Sequence, residues 1–362
     1  MPDSEAHGWS RFLPQPPDDA GSLPLARAHA GQSVLVTGAG GSIGSALVKA
    51  IASSGPRNIV LLDSSEQNLF DIERDMESAF GHVHHPAFLG SVHDRLLLDD
   101  IFNRFHPEIV YHAAAFKHLP LLEQNPFAAA RNNTIGTYTL AQAALDYGTS
   151  KLVLISTDKA VNPHSVMGVS KRIAELVVVA LSGAGCRMNA IRLGNVIGSG
   201  GSVVPAFLQQ ISHRSPVTVT HPDVRRWFLS IGETVEAVLA CGTAPCEGRI
   251  LLPELSDPVP IAALARFLIG AAGNGSAGEI PIVFTGLRPG EKLTEELVFN
   301  TEIQEGFVEG PLKVIRTCRL VPAEVERVVE ELDGLAARRD LSGLVRAFSS
   351  VVPEYVPSEL LR

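Results

Sequence analysis

Between Ser33 and Val196, short apolar runs alternate with longer segments in which apolar residues recur every three or four positions. The short runs are typical of strands buried on both faces, and the longer segments are typical of helices. In chain order, the runs are SVLVTG, NIVLLD, HPAFLG, EIVYHAAA, KLVLIST and MNAIRLGNV. Because strands that alternate with helices form βαβ units, the pattern predicts an α/β fold with a Rossmann-type, doubly wound parallel sheet.

The alternation weakens after Gly198, where Gly, Pro and polar residues separate shorter apolar segments. We therefore predict a Rossmann domain over residues 31–196. Residues 197–362 are expected to form mainly a smaller C-terminal substrate-binding lobe, with some segments returning to the main sheet. Residues 1–30 are rich in Pro, Asp and Gly, so we expect a flexible N-terminal extension there.

Charge and composition narrow the class of protein. The 362-residue chain has a net charge of −9, which argues against nucleic acid as a partner because a phosphate-binding surface needs a basic excess. No uninterrupted apolar run approaches about 18 residues, so no membrane span is expected. The N-terminus lacks the apolar stretch of a signal peptide, and the four cysteines contain no CxxC pair. We therefore expect free thiols, no metal site and a cytoplasmic location.

A glycine-rich turn follows the first predicted strand and opens the first predicted helix. Glycines there let backbone N–H groups approach a pyrophosphate at the helix N-terminus. Asp63 ends the second strand, where its carboxylate can accept hydrogen bonds from ribose hydroxyls and repel a 2′-phosphate, so NAD is predicted rather than NADP. Its alternative role is to cap the next helix, although Ser64 or Ser65 could do so instead. The predicted cofactor-binding residues of the turn are Gly38, Gly41, Ser42, Ile43 and Gly44.

Two further stretches follow predicted strands. Ala113, Ala114 and Ala115 follow the fourth strand, where small side chains let a cofactor lie close to the strand end; simple close packing is the alternative. The stretch from Ser156 to Lys171 reads STDKAVNPHSVMGVSK and begins at the carboxyl end of the fifth strand. Open α/β sheets place ligand chemistry at that edge.

With this stretch, the chain resembles the UDP-N-acetylglucosamine 4,6-dehydratases of polysaccharide and amino-sugar pathways. They are a branch of the extended short-chain dehydrogenase/reductase family. The resemblance runs from about Val34 to about Leu297 and includes TGAGGSIG, HAAAFKHLPLLEQNP, NNTIGT, RLGNVIGSGGSVVPAF and LRPGEKLTEEL. Together these motifs are specific to the branch, whereas each alone is a weak signal.

The resemblance implies removal of water from a UDP-sugar. NAD takes hydride from sugar C4, the C5 proton and the C6 hydroxyl leave, and the hydride returns to C6 to give a 4-keto-6-deoxy sugar. In this scheme Thr157 hydrogen-bonds the C4 oxygen, Lys159 removes the C5 proton and Asp158 protonates the C6 hydroxyl. Only a neutral Lys159 can act as a base, so desolvation would have to outweigh the effect of Asp158 on its pKa.

Met167 departs from the wider superfamily, whose YxxxK motif places Tyr four residues before Lys. Met cannot relay a proton, which leaves Thr157, Lys159 or a water to deprotonate the C4 hydroxyl. A subset of the similar dehydratases has the same substitution. Lys171 is still expected to hold the nicotinamide ribose hydroxyls.

The resemblance also assigns residues around the substrate and the adenine. Ser91 stands where many relatives have Asp, so adenine recognition is expected to rely on the backbone near Val92. Asn132 and Asn133 are expected to support the sheet and the adjoining loop. The predicted substrate-binding residues are Lys117, His118, Asn195, Ser199, Val203, Arg226, Arg288 and Glu291. Asn195 and Arg288 would meet the diphosphate and Glu291 a ribose; solvated surface charge is the alternative for the two arginines.

Three other functions remain open at this stage. A C4-epimerase normally keeps the Tyr and lacks the Asp158–Lys159 pair, and a 5,6-dehydratase would stop at the exocyclic enol ether. A non-catalytic NAD-binding regulator is the alternative of a different class. The helices over residues 126–147 and 168–181 carry apolar residues on more than one face. Extended relatives pair these helices across a two-fold axis, so we predict a homodimer or a multiple of one.

Overall fold

The computed structural model describes residues 29–183, 185–272, 280–308 and 312–361. Most of the predicted N-terminal extension lies outside these ranges. The strands are β1 (Ser33–Thr37), β2 (Asn58–Asp63), β3 (Ala87–Leu89), β4 (Ile109–His112), β5 (Lys151–Thr157), β6 (Arg187–Leu193), β7 (Asn195–Val196), β8 (Val217–Val219), β9 (Arg225–Arg226), β10 (Phe228–Leu229), β11 (Arg249–Pro253), β12 (Val259–Pro260), β13 (Ile282–Phe284), β14 (Ile303–Val308) and β15 (Leu312–Arg316).

The helices include every helix predicted before Gly198. They are α1 (Ser42–Ala52), α2 (Glu66–Phe80), α3 (Arg95–Phe105), α4 (Leu119–Gln124), α5 (Pro126–Ala129), α6 (Gly136–Asp146), α7 (Val166–Leu181), α8 (Val203–Ser212), α9 (Ile231–Thr243), α10 (Ile261–Ala272), α11 (Pro322–Arg338) and α12 (Leu341–Val351). The single long helix predicted from Pro126 is interrupted, because a π-helical turn over Ala130–Ile135 joins α5 to α6. No helix within the described ranges is long and apolar enough to span a membrane.

The main sheet has the predicted Rossmann-type order. Its strands run β3-β2-β1-β4-β5-β6-β11 in parallel, and β15 and β14 then extend it in antiparallel pairing. The order in which strands are added to the sheet reverses between β1 and β4, because β2 and β3 lie on one side of β1 and β4 lies on the other. Ligands bind outside the carboxyl ends of the strands at such a switch point.

Helices cover both faces of this sheet, as the wholly buried strands β1 and β2 require. One core contains side chains of α3, α6, α7, α11 and α12. The core on the opposite face contains side chains of α1, α2 and α9. The doubly wound α/β architecture predicted from the alternating pattern is therefore confirmed.

The chain after Ile197 is divided between the main sheet and a separate small core. That small core is built mainly from α8, β8 and α10. In contrast, β11, β14 and β15 lie in the main sheet, and α11 and α12 pack on its larger core. Segments of the C-terminal half thus do return to the main sheet, while the predicted domain boundaries at residues 30 and 196 stay predictions.

Helix α7 is covered within the chain itself. Each of its 16 residues is buried, and α11 and α12 contribute to the same core. An exposed apolar face on α7, which was one reason to predict a homodimer, is therefore not present. The homodimer stays a prediction.

Candidate active site

A cleft of about 710 Å³ opens at the carboxyl ends of β1, β2, β4, β5 and β6. It brings together residues that the sequence separates by more than a hundred positions. All the predicted cofactor-binding residues line it: Gly38, Gly41, Ser42, Ile43, Gly44, Asp63, Ser91, Val92, Ala113, Ala114, Ala115 and Lys171. The cleft wall also includes Thr157, Lys159, Met167, Lys117, His118, Asn195 and Ser199.

The glycine turn leaves no space for side chains. A Cβ on Gly38 would lie 2.6 Å from the Ala114 nitrogen, and a Cβ on Gly44 would lie 1.9 Å from the Gly38 carbonyl oxygen. Gly38 also has a φ of +67°, in the left-handed region that glycine adopts without strain. Gly41 precedes α1 and has no side chain to cap it, so the first backbone N–H groups of the helix suit a phosphate.

Asp63 is oriented by backbone donors at the cleft wall. Its Oδ2 accepts a hydrogen bond from the Gly40 nitrogen and its Oδ1 accepts one from the Ser65 nitrogen, both at 2.9 Å. The cap of α2 comes from Ser65, whose Oγ accepts from the Asn68 nitrogen. The alternative role of Asp63 as that cap is therefore wrong, and its carboxylate fits a ribose. Nearby, Ser91 Oγ is hydrogen-bonded to His93 Nδ1 at 2.7 Å.

Lys171 presents a buried amine to the cleft. Its side chain is 3% exposed, and Nζ has no hydrogen-bond partner among the described residues. Burial lowers the pKa of Lys171 to about 8, although the Glu175 carboxylate opposes the shift. Met167, one helical turn earlier, lines the same cleft. An unsatisfied amine beside a glycine turn fits the ribose hydroxyls of a dinucleotide.

The STDK motif forms a compact charged group directly after β5. Asp158 Oδ1 accepts from Thr157 Oγ1 and from Lys159 Nζ, each at 2.9 Å. Lys159 Nζ also donates to Asn195 Oδ1 at 3.0 Å and lies 3.7 Å from Glu295 Oε1. We name Asp158, Lys159 and Glu295 the Lys159 cluster. Lys159 and Thr157 reach the cleft wall, whereas Asp158 is absent from it and lies fully buried.

The electrostatics of this cluster correct one expectation. Burial alone would lower the pKa of Lys159, but the carboxylates of Asp158 and Glu295 outweigh burial and raise that pKa, with Arg226 opposing them. A neutral Lys159 required desolvation to outweigh the carboxylates and lower its pKa, and the structure does not meet this requirement. Lys159 is held as an ammonium ion, and Asp158 Oδ2 is buried without a partner in the described part of the chain.

Two loops meet over the glycine turn. The Gly200 nitrogen donates to Ser42 Oγ at 3.0 Å, and the His118 ring packs so close that a Cβ on Gly201 would lie 2.5 Å from its Cε1. Asn133 holds the other loop, because its side chain accepts from the Phe116 nitrogen and donates to the Phe116 oxygen. This contact matches the supporting role expected of Asn133. Burial lowers the pKa of Lys117 in the same loop.

Four predicted substrate residues, Val203, Arg226, Arg288 and Glu291, do not belong to the cleft wall. Arg226 Nη2 instead forms an ion pair with Glu291 Oε1 at 2.8 Å. Glu291 also accepts from Thr220 Oγ1 and from the Arg288 nitrogen. Their contacts with substrate stay predictions, and the ion pair engages the Glu291 carboxylate that the resemblance assigns to a ribose.

Sequence reasoning missed two residues near this site. Glu295 is buried against Lys159, yet nothing in LRPGEKLTEEL separates it from its exposed neighbour Glu296. Ser202 lines the cleft, and its buried Oγ has no partner among the described residues. Its place after the Gly200–Gly201 pair was the available signal, because ligand loops combine glycines with hydroxyl donors.

A family comparison agrees with this geometry. A profile of the polysaccharide biosynthesis protein family matches residues 34–314. The chain belongs to this family. The match covers every residue of the cleft wall, and it confirms the resemblance drawn from the sequence motifs.

The chain is also similar to individual proteins. It is 40% identical over 311 residues to the capsular polysaccharide biosynthesis protein CapD of Staphylococcus aureus, covering 85% of this chain but 52% of CapD. It is 31% identical over 280 residues to the UDP-glucose 4-epimerase of Rickettsia typhi, covering 75% and 79% of the two chains. The solved structure of Pen from Bacillus thuringiensis aligns with a TM-score of 0.72 at 23% identity, over 80% of this chain and 87% of Pen. That last likeness concerns the fold alone.

Proposed function

We propose that the chain is an NAD-dependent nucleotide-sugar 4,6-dehydratase that converts UDP-N-acetylglucosamine to a UDP-4-keto-6-deoxy-N-acetylhexosamine. One observation carries the proposal. Lys159 lines the cleft and is hydrogen-bonded at 2.9 Å to the buried Asp158, while Thr157 and Lys171 line the same cleft. An acid–base pair at the carboxyl end of a Rossmann strand suits elimination of water from a carbonyl-activated substrate.

NAD is the proposed cofactor because the cleft has the features that a dinucleotide needs. The N-terminus of α1 would receive the pyrophosphate, Asp63 one ribose, and the unpartnered Lys171 the nicotinamide ribose. Bound NAD would accept hydride from C4 of the sugar and return it to C6. The Asp63 carboxylate favours NAD over NADP, since it would repel a 2′-phosphate.

A single proton transfer along the Lys159–Asp158 hydrogen bond would give both the base and the acid. Transfer of the Lys159 proton to Asp158 leaves a neutral amine and a carboxylic acid. The amine would then remove the C5 proton, and Asp158 would protonate the C6 hydroxyl, which departs as water. Because Asp158 does not line the cleft, its proton would reach the hydroxyl by way of Thr157 Oγ1, which is hydrogen-bonded to Asp158 Oδ1. Both groups return to their starting charges, so the cycle is balanced without an external acid or base.

Thr157 would hydrogen-bond the C4 oxygen, and its position on the cleft wall beside Lys159 supports this role. Met167 occupies the usual Tyr position and has no proton to exchange. Thr157, Lys159 or a water therefore remain the candidates for deprotonating the C4 hydroxyl. Asn195, which holds Lys159, would keep the amine directed toward the cleft.

A C4-epimerase is the second candidate, and the similarity to the Rickettsia typhi epimerase favours it. Epimerisation needs redox chemistry at C4 and no elimination pair. The Lys159–Asp158 contact and the absence of Tyr at position 167 weigh against it. A 5,6-dehydratase would use the same proton pair but would release the exocyclic enol ether.

Incubation of the purified protein with UDP-N-acetylglucosamine and NAD, followed by NMR of the product, separates these candidates. A new C6 methyl signal with a C4 ketone or its hydrate is the expected result. An axial C4 hydroxyl without loss of water would identify an epimerase, and an exocyclic alkene would identify a 5,6-dehydratase. Recovery of unchanged substrate, with NAD bound, would contradict the proposal and favour a regulator.

A further inference from the structure

Glu295 is a buried carboxylate outside the cleft wall, on the segment that follows the Arg288–Glu291 turn. Its side chain is 3% exposed, and its Oε1 lies 3.7 Å from Lys159 Nζ. Its backbone oxygen accepts a hydrogen bond from Trp227 Nε1 at 3.0 Å, which fixes the segment locally. Glu295 therefore contacts the proposed base from within the protein rather than from the substrate side.

The Lys159 cluster contains two acids and one base. The other cations near Glu295 are engaged elsewhere: Arg226 pairs with Glu291, and Lys292 Nζ donates to the Val161 oxygen and to Glu296. The groups that act on Lys159 are Asp158, Glu295 and Arg226, and those that act on Glu295 are Lys159, Asp158, Arg226 and Lys292. With both acids ionised, the cluster has a surplus negative charge that only one further proton removes.

Asp158 already accepts a direct hydrogen bond from Lys159, so the extra proton is expected to bind to the Glu295 carboxylate. We propose that Glu295 is a positioning residue for the proposed dehydration. Its carboxylate holds Lys159 as an ammonium ion in the resting site. When Glu295 takes up a proton from water, Lys159 can pass its own proton to Asp158 and become the base. This inference rests on the proposed function for its chemistry, but not for the charge of Lys159.

Burial favours proton uptake by Glu295, because it disfavours the charged carboxylate. It raises the pKa of Glu295, and Asp158 adds to the rise, while Lys159, Arg226 and Lys292 oppose it. A Glu295 carboxylate at 3.7 Å inside the protein stabilises the ammonium form strongly, because little water screens the pair. Removal of that charge should therefore lower the proton affinity of Lys159 by at least about tenfold, which equals one pH unit.

The test is an NMR titration of the Lys159 amine in the full chain with NAD present. The signal is assigned by its loss in Lys159→Ala. In Glu295→Gln, we expect Lys159 to titrate at least about one pH unit lower than in the wild type. The matched control is Glu296→Gln, the same change one residue along on a carboxylate that pairs with Lys292 and Asn162 instead. It should leave the titration of Lys159 unchanged.

A second variant guards against a merely structural effect. Glu295→Asp keeps a carboxylate farther from Nζ, so its Lys159 titration should fall between those of the wild type and Glu295→Gln. In turnover, the wild type should lose kcat as pH rises and Glu295 ionises, whereas Glu295→Gln should lack this alkaline decline, with KM unchanged. Equal titration of Lys159 in the wild type and in a folded Glu295 variant would overturn the proposal. Absence of water loss by the wild type would refute the dehydratase assignment alone, because the titration needs no turnover.

Discussion

Two buried charge clusters lie side by side behind the cleft, and they differ in how well their charges are matched. The first, the Arg–Glu cluster, contains Arg172, Glu175, Arg192 and Glu302. Each arginine forms an ion pair with each glutamate at 2.6–3.1 Å. Both guanidinium groups also lie over the Phe299 ring. Two positive and two negative charges are thus fully paired, and Arg192 lowers the pKa of Glu175 despite the opposing effect of burial.

The Lys159 cluster is unbalanced by comparison. It has two acids for one lysine, an Asp158 oxygen without a partner among the described residues, and a lysine side chain that reaches the cleft. Ser156 links the two clusters, since its Oγ donates to Glu175 at 2.7 Å one residue before Thr157. Paired charges therefore hold β5, β6 and α7 together, whereas the unbalanced charges of the Lys159 cluster are available to exchange protons.

The largest expected effect comes from removal of the base. Lys159→Ala should lower the rate of water loss by about 10²–10⁴-fold, because Lys159 is the cleft-lining amine that is hydrogen-bonded to Asp158. NAD affinity should change little, since the glycine turn and Asp63 lie on other strands. C5 exchange in heavy water measures the step directly. Wild-type exchange in this variant would show that Lys159 is not the base.

Breaking the Arg–Glu cluster should lower stability rather than alter proton transfer in the cleft. Arg192→Met leaves two buried glutamates with one arginine, which should lower the free energy of unfolding by about 3–5 kcal/mol. Arg57→Met is the matched control, because the Arg57–Glu108 pair is about half exposed and contributes at most about 1 kcal/mol. Chemical denaturation compares the two. Similar losses in both variants would remove the distinction drawn between clusters.

Replacement of Lys171 should stabilise the fold, whereas replacement of Arg192 should destabilise it. Because the buried amine of Lys171 has no hydrogen-bond partner in the described ranges, Lys171→Met should raise the free energy of unfolding without NAD by about 1–3 kcal/mol at pH 7 while weakening NAD binding. Burial lowers the pKa to about 8 from an ordinary 10.5, so the cost of the charged amine is complete below pH 8. The gain should shrink between pH 8 and 10.5. A variant no more stable than the wild type at pH 7 would contradict this account.

Asp63 is a carboxylate whose two oxygens both accept backbone hydrogen bonds, unlike those of Asp158. Asp63→Ala should weaken NAD binding about tenfold, the loss of roughly one charge-assisted hydrogen bond, and relax discrimination against NADP. Ser65→Ala removes the α2 cap but keeps the carboxylate, so its preference for NAD should be retained. Wild-type binding of NADP as tight as NAD in a calorimetric titration would count against this role.

Met167 should give the smallest effect. It packs at the cleft wall but has no proton to transfer, so Met167→Ala should change kcat by no more than about threefold, within the range of lost packing beside a ligand. Steady-state kinetics measure this. A loss comparable to that of Lys159→Ala would assign Met167 a role that its chemistry does not suggest.

Much of the fold followed from local patterns. Near-continuous apolar runs predicted β1, β2, β4, β5 and β6, because a strand buried on both faces needs no alternation. The π-helical turn before Gly136 was not predicted, since it preserves apolar spacing closely enough to read as one helix. The return of β14 and β15 to the main sheet was only allowed for, because their pairing is set by partners far along the chain.

The site divides in the same way. The glycine turn, Asp63, the STDK motif and Lys171 could be located from local patterns alone, because each sits at a strand end or helix start whose position follows from short-range periodicity. Three contacts could not be located in this way: Glu295 with Lys159, Arg226 with Glu291, and α11 and α12 with α7. Charge pairing and burial depend on contacts between distant segments. A residue's spacing in the chain therefore predicts its element, but not the neighbours that set its charge.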